Sequence, residues 1–191
     1  LDDMRKLVHL LPDGSFKLDL KYFRHHRSQV SYQWYDGAPQ FDDLFAPELE
    51  HLLGPRRKPT DTLEERHRDI ARSVQAMYEE AFFHLIRKAQ AHSGSTNLAL
   101  AGGCAMNSVA NGKVRRVTPF RRVYVQSAAG DAGGAIGAAF ALWHQLGGKR
   151  TFTMDHAFWG PEFGSVQIAE VLSEHRTQLS QFLERCDRVK F

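Results

Sequence analysis

The chain has 191 residues, 42% of them hydrophobic and 25% charged, ordinary values for a globular protein with a core of its own. Its 25 basic residues nearly cancel 22 acidic ones to leave +3, and the short run Arg56-Arg57-Lys58 stands between prolines, so no concentrated basic face points to nucleic acid. The longest small-apolar run, Ala132 to Trp143, is too short for a membrane helix, which needs roughly 20 residues.

Residues 1 to about 60 read as irregular and β-leaning. In "LVHLLPDGSFKLDL" two apolar runs flank Pro12-Asp13-Gly14, a turn signal that predicts a hairpin. The segment from Tyr22 to Phe45 is dense in aromatics, among them Phe23, Tyr32, Trp34, Tyr35 and Phe41, which either seal a satellite core or line a pocket. His25 and His26 are adjacent and point apart, a poor metal pair. "GPRRKPT" then reads as a linker.

A long helix is predicted from Thr62 to about His92, capped by Asp61 or Thr62, with Glu64 and Glu65 in its first turn. Ile70, Val74, Met77 or Tyr78, Ala81 and Leu85 recur at helical spacing and predict one buried stripe. His67, His84 and His92 lack the four-residue spacing of paired ligands and read as structural or exposed. Beyond Ser93-Gly94, "NLALAG" reads as a strand, "CAMNSVANGKVRRV" as helical, and "RRVYVQ" as a second strand. "GDAGGAIGAAFALWHQLGG" reads as a small-residue helix. The alternation implies a parallel pair within an α/β fold. "WGPEFG" is a turn, a helix follows from Ser165 to about Arg185, and "RVKF" begins a strand.

Cys104 and Cys186 lie far apart and form neither a zinc site nor a disulfide framework, which favours a reducing, cytoplasmic setting. The charged start of the chain gives no signal peptide. The chain begins at Leu1 and stops at "RCDRVKF" without a closing cap, so a piece of a longer polypeptide is expected.

The chemistry concentrates in two loops. In "LALAGGCAMN" a strand turns at Gly102-Gly103 straight into a helical segment, whose free N–H groups suit an anion or a ribose-phosphate edge. Asn107, one turn on, could project its amide back toward the loop. A G-x-x-x-x-G-K-[ST] loop would need glycine at Asn107 and a hydroxyl at Val114, and G-x-G-x-x-G would need glycine at Cys104 and Asn107. Neither template fits. The second loop, "SAAGDAGGA", ends the next strand, so the two should be neighbours at one sheet edge. A carboxylate facing a phosphate needs a cation between them, which makes Asp131 a metal ligand, unless it only caps its helix.

Together "LALAGGCAMNSVANGKV", "VYVQSAAGDAGGAIGAA" and "HAFWGPEFG" closely resemble O-carbamoyltransferases of the nodulation and antibiotic-tailoring (NodU/CmcH) type, over nearly the whole chain. The resemblance implies the second lobe of an actin-like (ribonuclease-H-like) ATPase fold. It divides the chain into an irregular segment at 1–60, a nucleotide-binding lobe at 61–150, and at 151–191 a linker opening onto a carbamoyladenylate-forming domain. It implies that carbamoyl phosphate and ATP give carbamoyladenylate, whose carbamoyl group passes to an acceptor hydroxyl on a sugar, an antibiotic or a lipid-linked oligosaccharide. Gly103 and Asn107 would hold the adenylate, Gly102 would shape the turn, and Asp131 would bind the divalent metal, iron. The family's HxxxH pair does not occur here, so the chain would hold one wall of an active site, be inactive alone and depend on other lobes of the same polypeptide. No residue offers itself as general base, and Cys104 has no activating histidine near it in sequence. The aromatic segment from Tyr22 to Phe45 is the expected place for acceptor contact. Two rivals share this lobe: a sugar-kinase-like or acetate-kinase-like phosphotransferase, and a nucleotide-gated interaction module.

Overall fold

Asp13 organises the first turn of the chain, its Oδ1 accepting from the Ser15 amide at 2.9 Å and from Ser15 Oγ at 2.6 Å. The turn pairs β1 (Val8–Leu10) antiparallel with β2 (Phe16–Leu18), the hairpin expected from Pro12-Asp13-Gly14. The computed structural model describes residues 1–181. It divides into two compact units, Leu1–Arg150 and Thr151–Phe191.

The first sixty residues are more regular than their sequence suggested. A short helix, α1 (Asp2–Leu7), precedes the hairpin, with Asp2 and Asp3 in its first turn and Arg5 and Lys6 in its last, as the helix dipole favours. A second hairpin joins β3 (Tyr32–Tyr35) to β4 (Ala38–Phe41) through Asp36-Gly37, both at positive φ, the demand of a tight two-residue turn. Next comes α2 (Pro47–Leu53), which Pro47 starts because its missing N–H has no partner to lose at a helix N-terminus.

The organising element is α3 (Glu65–Ser93), 29 residues long and ended by Gly94 in the left-handed region. It starts later than predicted. Neither Asp61 nor Thr62 caps it; the Glu64 amide donates to Nδ1 of His67 at 2.9 Å. The Asp61 carboxylate is used instead by the Lys58 amide in the preceding turn.

The single buried stripe also needs correction, because α3 has two buried faces. At about 100° per residue, Ile70, Met77 and Ala81 share one face. There Met77 packs with Met4, Leu7 and Tyr22. On the other, Phe83 and Ile86 pack with Ala110, Val114 and Phe120, flanked by Tyr78 and Phe82. Val74 and Leu85 fall in the seam between the faces and are exposed. His84, as expected, is structural, bonding the Leu11 carbonyl at 2.7 Å.

After α3 the chain forms β5 (Asn97–Leu100), a 3-10 turn (Gly103–Met106), the one-turn helices α4 (Ser108–Asn111) and α5 (Val114–Val117), β6 (Arg122–Val125) and α6 (Ala132–Gln145). The predicted helix between the strands is thus broken into three short pieces. β5 and β6 pair in parallel, Leu98 opposite Val123 and Leu100 opposite Val125. This parallel pair shows a mixed α/β chain with small sheets.

In the second unit α7 (Ser165–Glu174) begins where the Gly164 amide donates to Gln167 Oε1 at 2.9 Å, and the predicted helix is interrupted at His175. Helix resumes over 176–181, and the expected end at Arg185, the "RVKF" strand and Cys186 lie outside the described residues. No helix among the described residues is long and apolar enough to cross a membrane.

Candidate functional site

Parallel strands joined by a helical connection end on the same sheet edge, and here that brings the two glycine-rich loops into contact. The Gly102 amide donates to the Ala129 carbonyl at 2.6 Å. Gly102 sits at φ +97° and ψ 162°, a conformation that strains any side-chain-bearing residue, and so turns the end of β5 into the 3-10 turn. Beyond β6, Gln126 Oε1 accepts from the Ala128 amide at 2.6 Å and curls the second loop. A Cβ on Gly133 would meet the Ala128 carbonyl oxygen at 2.1 Å, so glycine there lets α6 start tight against that loop.

The loops enclose an open cleft of about 430 Å³, lined among others by Ala101, Gly102, Gln126, Ala129, Asp131 and Gly134. Gly102 and Asp131 therefore face one space. Gly103 lies one residue further, in the 3-10 turn, and a Cβ added there would meet nothing within 4 Å. The fold does not demand glycine at 103; close approach of a ligand to the main chain would.

Asp131 occupies the cap position of α6 but has helical angles, φ −59° and ψ −34°, and its side chain caps nothing. Among the described residues its carboxylate has no hydrogen-bond or ion-pair partner. The capping alternative is thus set aside. A charged, unpartnered carboxylate in a cleft is one fitting metal ligand. No group of three or more histidine, cysteine, aspartate or glutamate side chains that could hold an ion occurs among the described residues, so Asp131 does not by itself complete a metal site here.

Asn107 is placed differently from expectation. It is not one turn into a helix but the N-cap of α4, its Oδ1 accepting from the Ala110 amide at 3.0 Å. Its carboxamide turns to α3, where it pairs reciprocally with Gln75: Asn107 Nδ2 donates to Gln75 Oε1 at 2.9 Å and Gln75 Nε2 donates to Asn107 Oδ1 at 3.2 Å. Gln75 Nε2 also donates to Glu79 Oε1 at 2.9 Å, and Lys113 Nζ reaches both Glu79 oxygens at 2.6 Å. The Gln75 amide, and next Lys113, hold the Glu79 carboxyl below its ordinary range. Tyr78 OH donates to the Cys104 carbonyl at 2.8 Å, and burial pushes its own ionisation up.

Gln75 and Glu79 were missed in reading the sequence, Tyr78 was read only as a residue of the buried stripe, and Lys113 only as the lysine of a phosphate-loop template that does not fit. The signal was there: Gln75 and Glu79 stand four residues apart on the face that carries Tyr78, Phe82 and Ile86, and polar groups on a buried face require partners. The Cys104 side chain is exposed and unpaired.

Comparisons with known proteins bear on this arrangement. A family model described as "Carbamoyltransferase N-terminus" matches residues 2–140. The chain is 37% identical over 171 residues to "Uncharacterized protein sll1178" of Synechocystis sp., covering 87% of this chain and 26% of that protein. It is 36% identical over 129 residues to "Nodulation protein NolNO" of Sinorhizobium fredii, covering 67% of this chain and 19% of that protein. It is also 36% identical over 130 residues to "Nodulation protein NolO" of Bradyrhizobium diazoefficiens, covering 68% and 24%. The chain spans 19% to 26% of the length of these curated relatives.

Proposed function

The chain belongs to the carbamoyltransferase family, and from that premise we propose that it forms one wall of the active site of an ATP-dependent O-carbamoyltransferase. The observation that carries this reading is the meeting of the two loops: Gly102 bonded to Ala129, with an unpartnered Asp131 in the same cleft. The lobe would be the second of an actin-like ATPase fold, and the relatives' much greater length supports further lobes in the same polypeptide.

In this reading carbamoyl phosphate gives up its phosphate to water, ATP gives up pyrophosphate, and the resulting carbamoyl–AMP conjugate is carbamoyladenylate. The main chain from Gly103 onward, with Asn107 behind it, would grip its phosphate and ribose side, the Gly102 N–H being already donated to Ala129. Asp131 would supply one ligand to a metal, iron on the family resemblance, which when bound would offset the charge of the phosphate oxygens. The acceptor oxygen would then attack the carbamoyl carbon, the bond from that carbon to the adenylate oxygen would break, AMP would leave, and the hydroxyl proton would pass to solvent. This chain's contribution would be alignment and electrostatic stabilisation, with Asp131 committed to the metal rather than to taking the proton. The acceptor would meet the β3–β4 hairpin, where Tyr32, Trp34, Tyr35 and Phe41 are exposed and offer faces on which a sugar ring can stack.

The test uses the full-length protein with ATP and labelled carbamoyl phosphate. Label on a hydroxyl acceptor, with AMP formed in step, supports the reading. ADP formation with transfer of phosphate and no use of carbamoyl phosphate would overturn it in favour of a phosphotransferase.

A further inference from the structure

The lysine of "NGKV" does not reach into the cleft. Its ammonium is spent on Glu79, which binds Gln75, which binds Asn107. The order of these groups has a consequence for the loop. An ionised carboxylate only accepts hydrogen bonds, so Glu79 can face Gln75 only if Gln75 presents its nitrogen. That choice leaves Gln75 Oε1 as the acceptor for Asn107 Nδ2, at 2.9 Å, and aims Gln75 Nε2 at Asn107 Oδ1, at 3.2 Å. Asn107 Oδ1 is pinned a second time by the Ala110 amide at 3.0 Å.

Without the charge on Glu79, the Ala110 amide alone would set the polarity of the paired amides. With it, the relay has one low-energy polarity. Glu79 keeps that charge against the opposing effect of burial, because Gln75 donates to one of its oxygens and Lys113 reaches both. Asn107 is left with one uncommitted Nδ2–H, by the inventory of a carboxamide, as its donor for a ligand.

We infer that Gln75, Glu79 and Lys113 are positioning residues, a charge-polarised relay that fixes the orientation of the Asn107 carboxamide and with it the ligand-binding form of the first glycine loop. The inference rests on the proposed role of Asn107 in holding the adenylate. None of the three need touch the ligand.

The experiment measures the affinity of the full-length protein for a non-hydrolysable ATP analogue, with thermal unfolding of each variant measured alongside. Gln75→Met keeps length and helix propensity and removes the relay; it should weaken binding about 3- to 10-fold. Glu79→Gln, which keeps shape and loses polarity, should do the same, and it stands in if Gln75→Met fails to fold. Lys113→Met should weaken binding, whereas Lys113→Arg should restore most of it. In an Asn107→Ala background Gln75→Met should add nothing, which a general loss of stability could not reproduce. Losses that add in full to that of Asn107→Ala would overturn the relay. So would normal affinity in Gln75→Met and Glu79→Gln when Asn107→Ala binds weakly. Normal affinity in Asn107→Ala would instead remove the adenylate role of Asn107, and this inference with it.

Discussion

The loop after β5 and the loop after β6 meet where the Gly102 amide donates to the Ala129 carbonyl, yet Asn107 and Asp131 are used in opposite ways. In the first, Asn107 is bonded to Ala110 and Gln75, Lys113 to Glu79, and the Cys104 carbonyl to Tyr78. In the second, Asp131 is left without a partner among the described residues. One loop is held rigid by α3, and the other keeps a charge in reserve. Substituting the bonded side chains of the first should therefore cost stability and binding together, while removing the charge from the second should cost activity alone.

Asp131→Asn is the sharpest way to break this contrast. It should lower carbamoyl transfer by the full-length protein on the order of 100- to 1,000-fold through loss of a metal ligand. Its unfolding free energy should stay within about 0.5 kcal/mol of the parent, because no contact in the fold is lost. A large destabilisation on urea titration would place Asp131 in the structural class with Asn107.

The two neighbouring glycines sharpen the same point at smaller scale. Gly102→Ala places a Cβ at φ +97° and should cost about 1–3 kcal/mol of stability. Gly103→Ala meets open space, so stability should change by less than about 0.5 kcal/mol. Nucleotide affinity in Gly103→Ala should still fall, on the order of tenfold, from the lost close approach.

Asn107→Ala removes the α4 N-cap and should cost about 1 kcal/mol, read from chemical unfolding. The smallest effect is the pH dependence of Glu79. Its carboxyl is lowered from 4.5, so its contribution to stability is complete above that value and is lost as pH falls through the lower folded value. Lys113→Met should flatten that acid limb of the stability profile, and an unchanged limb would separate Glu79 from it.

The parallel strand pair, the first hairpin and the two loops were legible because glycine placement and apolar runs are local signals. Gly102 had to turn a strand end, and Asp13 had to shape a turn, whatever else the chain did. The two faces of α3 were not legible in the same way, since Val74 and Leu85 carry the helical period but fall in the seam between two clusters. Asn107 was recognised as important and misdirected, because its partner lies 32 positions back in the chain. α2 and the Asp36-Gly37 hairpin had clear local signals, a proline start and a tight-turn pair, obscured by the density of aromatics around them.

The most direct measurement is a crystal structure of the full-length protein with a non-hydrolysable ATP analogue and metal. The phosphate groups should lie against the main chain at Gly102 and Gly103, with the Asp131 carboxylate bound to the cation beside them. A nucleotide seated away from both loops, or a metal whose ligands do not include Asp131, would contradict the assignment of this cleft.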